Sequence, residues 1–213
     1  MAAETVNEDI YTIRVITLLA DIGKPCLLQA LLHKVPKEII HQFLQASENR
    51  KIIDQLLIKK VITEEQFDQL FAEKINPDEF DIGLIYAILR YIVAPEPKKG
   101  WNIHPEDDDN SIGACLLRIQ KLRNRIYDPN TKIDDEEFEE IWEELGESIK
   151  QIVRLTQSDA ACTAVRKRIR NLKKETEDSL KKNLKKNVEE LFKWSIADFS
   201  SLFKAVGSCQ VYK

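Results

Sequence analysis

Apolar positions recur three and four residues apart along most of this chain, the period of helices packed on one side. From Asn7, the residues Ile10, Ile13, Ile16 and Leu18 to Ala20 keep that spacing until Gly23, Lys24 and Pro25 interrupt it, and "CLLQALLHKV" then resumes it. A proline inside a helix removes a donor and crowds the preceding turn, so two short helices are expected there. Pro36 suits the first position of a helix through "KEIIHQFLQA". A further helix is expected in "RKIIDQLLIKK", and "TEEQ" at Thr63 to Gln66 has the form of a capping box ahead of "EEQFDQLFAEK".

Asn76, Pro77 and Asp78 punctuate the chain before "FDIGLIYAILRYIV", which is apolar on nearly every side. Such a helix belongs at the centre of a bundle. Ala94 to Asn110 is the longest loop, with three prolines and an acidic tip, and loops of this length are often functional or disordered. Ser111 can cap a helix from Ile112 to Tyr127, which must end near Asp128 because Pro129 follows. After the turn "DPNTK", Asp134 or Asp135 can cap a helix whose stripe is Phe138, Ile141, Trp142, Leu145, Ile149 and Val153. From Ser158 one long helix is expected, with a sparse seam of Val165, Ile169, Leu172, Leu180, Leu184, Val188 and Leu191. No repeat and no strand or hairpin pattern stands out.

Composition agrees with an all-α protein: of 213 residues, 32% are charged and 43% hydrophobic, with six Gly and seven Pro. The net charge of -4 hides a strong segregation. Asp134 to Glu147 holds nine carboxylates and no basic residue, whereas Arg166 to Lys186 holds ten Lys and Arg against three acids. Cys26, Cys115, Cys162 and Cys209 lie far apart with no CxxC, so reduced thiols and a cytoplasmic setting are expected. "MAAETVNEDI" lacks the basic start and apolar core of a signal peptide, and the apolar run Ile82 to Val93 is shorter than the roughly 20 residues a membrane span needs.

At about 100° per residue, Ile112, Cys115, Leu116, Ile119, Leu122 and Ile126 share one side of their helix, and Arg123 projects from within that stripe. Arg118, Lys121 and Arg125 are expected to face solvent. A guanidinium on a core stripe needs a carboxylate, carbonyls or a bound anion. Two uses fit Arg123: an internal salt bridge or snorkelling side chain, or an anion site or subunit interface.

The stretches "FDIGLIYAILR", "PKKGWN", "SIGACLLRIQKLRNRIY" and "FEEIW", in this order and spacing, resemble the HEPN domain (higher eukaryotes and prokaryotes nucleotide-binding) of the type in DAZ-interacting zinc-finger RING ubiquitin ligases. The resemblance runs from about Leu18 to Val153 and implies a helical domain with a four- or five-helix core, commonly dimeric. Catalytic members of the wider superfamily are metal-independent ribonucleases that use an Arg, four to six further residues and a His at a dimer interface. The imidazole moves protons near neutral pH and the cation stabilises charge on the phosphate. Here Arg123 and the polar Asn124 are present, but "RNRIYDP" places Pro129 where this type commonly reads "GH". Proline cannot exchange that proton, and His33, His41 and His104 lie outside the motif. The resemblance therefore implies a non-catalytic interaction or dimerisation module, with Arg123, Asn124 and Tyr127 as a degenerate motif or interface. The alternative is an RNA-binding or ribonuclease domain using Arg123 and Asn124.

The basic segment offers Arg166, Arg168, Arg170, Lys173 and Lys174 as candidate phosphate contacts, or as a solvated coiled-coil flank. The acidic segment could dock on a basic partner, including the basic helix of the same chain. Trp101 and Trp142 are expected to anchor packing, with "GWN" closing the long loop over the bundle. No metal-ligand cluster, cofactor fingerprint or paired Cys and His is recognisable. The expected organisation is a HEPN-like helical domain at 7–155, a charged helical extension at 156–194 and a short tail at 195–213.

Overall fold

The computed structural model describes residues 2–127 and 133–205, with side chains placed for 10–126, 133–191, 193 and 194. No strand occurs among the described residues, and the fold is the expected all-α bundle. Its helices are α1 (Ala2–Thr17), α2 (Lys24–Lys34), α3 (Ile40–Gln45), α4 (Ser47–Ile58), α5 (Glu64–Phe71), α6 (Ile82–Ile88), α7 (Ile112–Tyr127), α8 (Asp135–Thr156), α9 (Asp159–Leu172) and α10 (Glu177–Ala205). The turn "DPNTK", with Pro129, and Cys209 in the tail lie outside the described residues.

The expected break at Gly23, Lys24 and Pro25 does not separate two helices. Leu18–Gly23 winds as a π-helix that joins α1 to α2, and the Lys24 amide reaches back to the Leu19 carbonyl. In an α-helix the amide at position 25 would bond the carbonyl four residues earlier, and Pro25 has no amide to give. The wider turn absorbs the ring. The Asp21 carbonyl accepts instead from Arg168 Nη2 at 2.9 Å. The joined run Ile10–Lys34 is long and apolar enough to cross a membrane by length and composition, and 72% of its apolar window is buried inside the bundle.

Pro36 does not start a helix; it opens a turn in which the Ile39 amide bonds the Pro36 carbonyl, and α3 begins at Ile40. The capping box forms as expected, with the Gln66 amide donating to Thr63 Oγ1 at 3.1 Å and the Thr63 amide to Gln66 Oε1 at 2.9 Å. Gln66 also donates through Nε2 to both carboxylate oxygens of Asp81, which caps α6 by accepting from the Leu84 amide. One buried side chain thus ties together the starts of α5 and α6.

Every residue of α6 is buried, as its all-round apolar pattern requires, and Leu89–Val93 continues it as a second π-helix. Around it pack α2 and α10, and α2 in turn packs on the stripe of α8. That stripe is the predicted one: Phe138, Ile141, Trp142, Leu145, Ile149 and Val153 are all buried, and Asp134 caps the helix through the Glu137 amide.

The single long helix expected from Ser158 is two helices. A turn at Lys173–Thr176 folds α10 back onto α1 and α6, where Leu180, Leu191 and Trp194 join the same core as α8 and α9. Glu177 and Asp178 stand in the first turn of α10, where the helix dipole favours carboxylates. The seam also shifts: Val188 is exposed, and Asn187 takes the buried position beside it. The core is therefore continuous across residue 155.

Candidate functional site

The last turns of α7 place Arg123 inside the bundle, 2% exposed. Its guanidinium carbon lies 5.0 Å from the ring centre of Trp194 on α10, and Nη1 donates to Asn124 Oδ1. A cation over an indole face in a desolvated setting gains roughly 1–2 kcal/mol. Trp194 in turn packs against Tyr86 of α6, with ring centres 5.0 Å apart. Tyr86 donates its hydroxyl to Gln120 Oε1 at 2.7 Å, and Arg90 Nη1 donates to the same oxygen at 2.9 Å. Arg123 is thus part of a polar and aromatic seam joining α6, α7 and α10, and not an exposed cation. Asn124 is half-buried. Tyr127 ends α7, and its side chain lies outside the described residues.

No local sequence signal links Trp194 to Arg123, because the two lie on helices far apart in the chain. Tyr86 and Arg90 do carry a signal: they are the polar-tipped pair at four-residue spacing inside an otherwise apolar run. Close approach of α10 depends on Gly83. A Cβ added there would lie 2.6 Å from Trp194 Cα. Glu190, one turn before Trp194, accepts from the Ile82 amide at 2.7 Å and pairs with Lys24 at 2.9 Å.

Arg118 does not face solvent. It is buried, and its Nη1 and Nη2 donate to the carbonyls of Asp109 and Glu106. The flank of α7 that carries Arg118 lies against the long loop, whose carbonyls satisfy this guanidinium. Asp109 completes the clamp by accepting from the Lys98 and Ser111 amides at 2.9 and 3.1 Å. Burial pushes the Asp109 carboxyl up, but those amides, the Ser111 hydroxyl and the Lys98 charge hold it below the usual carboxylate range. Gly100, at φ +80°, makes the left-handed turn after "PKK", and the half-buried Trp101 packs on the core beneath Arg90. The loop Ala94 to Asn110 is therefore a fastened structure, bordering a cleft of about 340 Å³ lined by Asp107, Arg118, Glu144, Ser148 and Arg154 among others.

The basic residues of α9 do not form one patch. Arg166, Arg170 and Lys173 run along one flank and Arg168 along the other. Arg168 is committed to the Asp21 carbonyl and Lys173 to Glu139 on α8, which leaves Arg166, Arg170 and Lys174 as exposed cations. The Lys173 pair is an intramolecular meeting of the basic and acidic segments. His33, His41 and His104 are exposed on other elements; His41 lies beside Gln45, and His104 is 4.0 Å from Glu144. Cys26, Cys115 and Cys162 are free and buried, and burial pushes the Cys26 and Cys115 thiols up to about 11. No cluster of three or more His, Cys, Asp or Glu suited to a metal ion occurs among the described residues.

The human E3 ubiquitin-protein ligase DZIP3 is 26% identical over 117 residues, covering 46% of this chain and 10% of that protein. The mouse E3 ubiquitin-protein ligase DZIP3 is 27% identical over 77 residues, covering 35% of this chain and 6% of that protein. The chain thus spans a tenth or less of the length of these relatives. No solved structure matches it. The DZIP3/hRUL138-like HEPN pattern matches residues 37–185, from before α3 into α10, and the chain belongs to that family.

Proposed function

We propose that this chain is a non-catalytic HEPN module that associates with a second copy or a protein partner, in a regulatory or adaptor role within a reducing, cytoplasmic setting. The observation that carries the proposal is the burial of Arg123 over Trp194. A ribonuclease of this superfamily needs that cation at a phosphate and an imidazole beside it. Here the guanidinium is spent on an indole face and Asn124, and the sequence has Pro129 in the histidine position. The ligase activity in the names of the relatives belongs to proteins at least tenfold longer than the matched part.

Light scattering of the purified protein, with and without a structured RNA, tests the proposal. A dimer whose mass ignores RNA supports it. An RNA complex that is lost on Arg123→Ala overturns it, provided that circular dichroism shows the variant folded. The second reading, RNA binding, is favoured by the exposed cations Arg166, Arg170 and Lys174. It predicts a complex that weakens steeply with salt, and that the triple substitution of these residues by glutamate abolishes while Arg123 stays intact.

A further inference from the structure

We infer that the cleft between α7, α8 and the long loop is a docking pocket for a basic side chain, lysine or arginine, of a partner protein. The acidic row of α8 guides the segment that carries it. This rests on the association proposed above and names the chemistry of the partner.

At about 340 Å³ the cleft is at the small end of ligand-sized pockets and suits one long side chain. Its charged lining is unequally committed. Both cations are spent: Arg118 on the carbonyls of Asp109 and Glu106, and Arg154 on Gln151 Oε1 at 2.7 Å. Gln151 itself donates to the Asn110 carbonyl, and Glu147 is paired with Lys150. The carboxylates of Asp107 and Glu144 are open. Asp107 has no hydrogen bond or ion pair among the described residues, and His104 approaches Glu144 only to 4.0 Å, beyond hydrogen-bond distance. The Ser148 hydroxyl is open as well: its residue is 3% exposed, lines the cleft, and has no side-chain partner among the described residues. A hydroxyl hidden from bulk water and unbonded is an unmade hydrogen bond, which an entering N–H donor completes.

An ammonium or guanidinium entering the cleft gains two carboxylates and that hydroxyl as charge-assisted acceptors. An anion gains only guanidinium groups already held by other oxygens, and meets the carboxylates as like charges. Lys121, one turn beyond Arg118 on α7, feels the charge of Glu144, but the two form no ion pair among the described residues. The approach to the cleft has the same sign. On α8, Glu137 and Glu139 are paired with Arg125 and Lys173, whereas Glu136, Glu140 and Glu143 are exposed with no partner among the described residues. At spacings of three and four residues these lead along the helix to Glu144 and Glu147. Such a row steers a basic segment and sets its register, while the cleft holds one of its side chains.

Isothermal titration calorimetry of the full chain at low salt, with a capped peptide of alternating Lys and Ala as the probe, tests the inference. One-to-one binding is expected, weakened about tenfold by Ser148→Ala through the loss of one hydrogen bond to a charged group. Asp107→Asn combined with Glu144→Gln should abolish it. None of these three side chains is committed within the fold, so circular dichroism should show every variant folded. Glu136→Gln combined with Glu140→Gln removes the same charge from the row outside the cleft, and should weaken binding far less. An equal loss in that control, or no loss in Ser148→Ala, overturns the pocket, because binding is then general attraction to an acidic surface. A protein of dimer mass that does not bind the peptide overturns the inference and leaves the association module standing. No binding by a protein of monomer mass overturns the inference and also the self-association in the reading it rests on.

Discussion

Exchanging Gly83 for alanine should destabilise the protein, although glycine to alanine inside a helix ordinarily does the reverse. Helical propensity favours Ala by about 1 kcal/mol, and the unfolded chain loses some freedom in the same direction. Against this, the added Cβ would lie 2.6 Å from Trp194 Cα, 3.0 Å from Trp194 Cβ and 3.2 Å from Asp81 Oδ1. Carbon atoms in contact sit about 3.5–4.0 Å apart, so α6 and α10 must separate by roughly 1 Å. The nearest obstacle is backbone and cannot rotate away. Overpacking of this kind costs about 1–3 kcal/mol, and the gap it opens also forfeits a quarter to a half of the dispersion energy along the seam. The net effect is a loss of about 2 kcal/mol, or a fall in Tm of about 4–8 °C for a chain of this size. Gly146 on α8 provides the control, because a Cβ there meets only Ile169 Cγ2, at an ordinary 3.7 Å. Urea unfolding followed by circular dichroism should show Gly146→Ala gaining about 0.5–1 kcal/mol while Gly83→Ala loses stability. Equal gains at both positions would refute the close approach of α10 to α6, and with it the cover over Arg123.

The clamp on the long loop should be sensitive to acid. The Asp109 carboxyl titrates below its unfolded value, so its contribution is complete above about pH 4–5 and is lost as pH falls through the lowered folded value. Asp109→Ala, which removes two amide bonds to a buried carboxylate, should cost about 3 kcal/mol at pH 7. Its deficit against wild type in urea unfolding should shrink on acidification, and a deficit independent of pH would count against the charged clamp. The shared cap makes a second prediction. Thr63→Ala should cost about 1 kcal/mol, as for an ordinary cap, whereas Gln66→Ala should cost about 3 kcal/mol because it also strips two bonds from the buried Asp81. Similar losses for the two variants would separate α5 from α6 energetically.

Local chemistry was legible in the sequence. The capping box at Thr63, the cap at Asp134 and the stripe of α8 all follow from spacing within one or two turns. Arg123 was legible as a core-facing cation because its direction is set by its own helix. Its ring partner was not, because Trp194 reaches it only after the chain reverses at Lys173–Thr176, and the seam of Val165 to Leu191 runs through that turn without a proline or glycine to mark it. Arg118 misled for a related reason: its angle on the helix faces away from the core stripe, but the loop 94–110 covers that side. Pro25 read as a break because sequence rules weigh the lost donor, whereas a π turn and Arg168 together make good the loss.

That π turn also acts as a phase shifter. A helix of 3.6 residues per turn advances by about 100° with each residue, and the wider turn at Leu18–Gly23 accommodates a residue without passing the full rotation on to α2. The faces of α1 and α2 are therefore set independently: one by its contact with α10, the other by its contacts with α6 and α8. Were the same residues wound as a regular α-helix, α2 would turn by roughly a further 100°, carrying Leu27 and Leu31 away from the core and Lys24 away from Glu190. The first third of the bundle is in this sense geared to the last, and one turn of helix holds the gears in mesh.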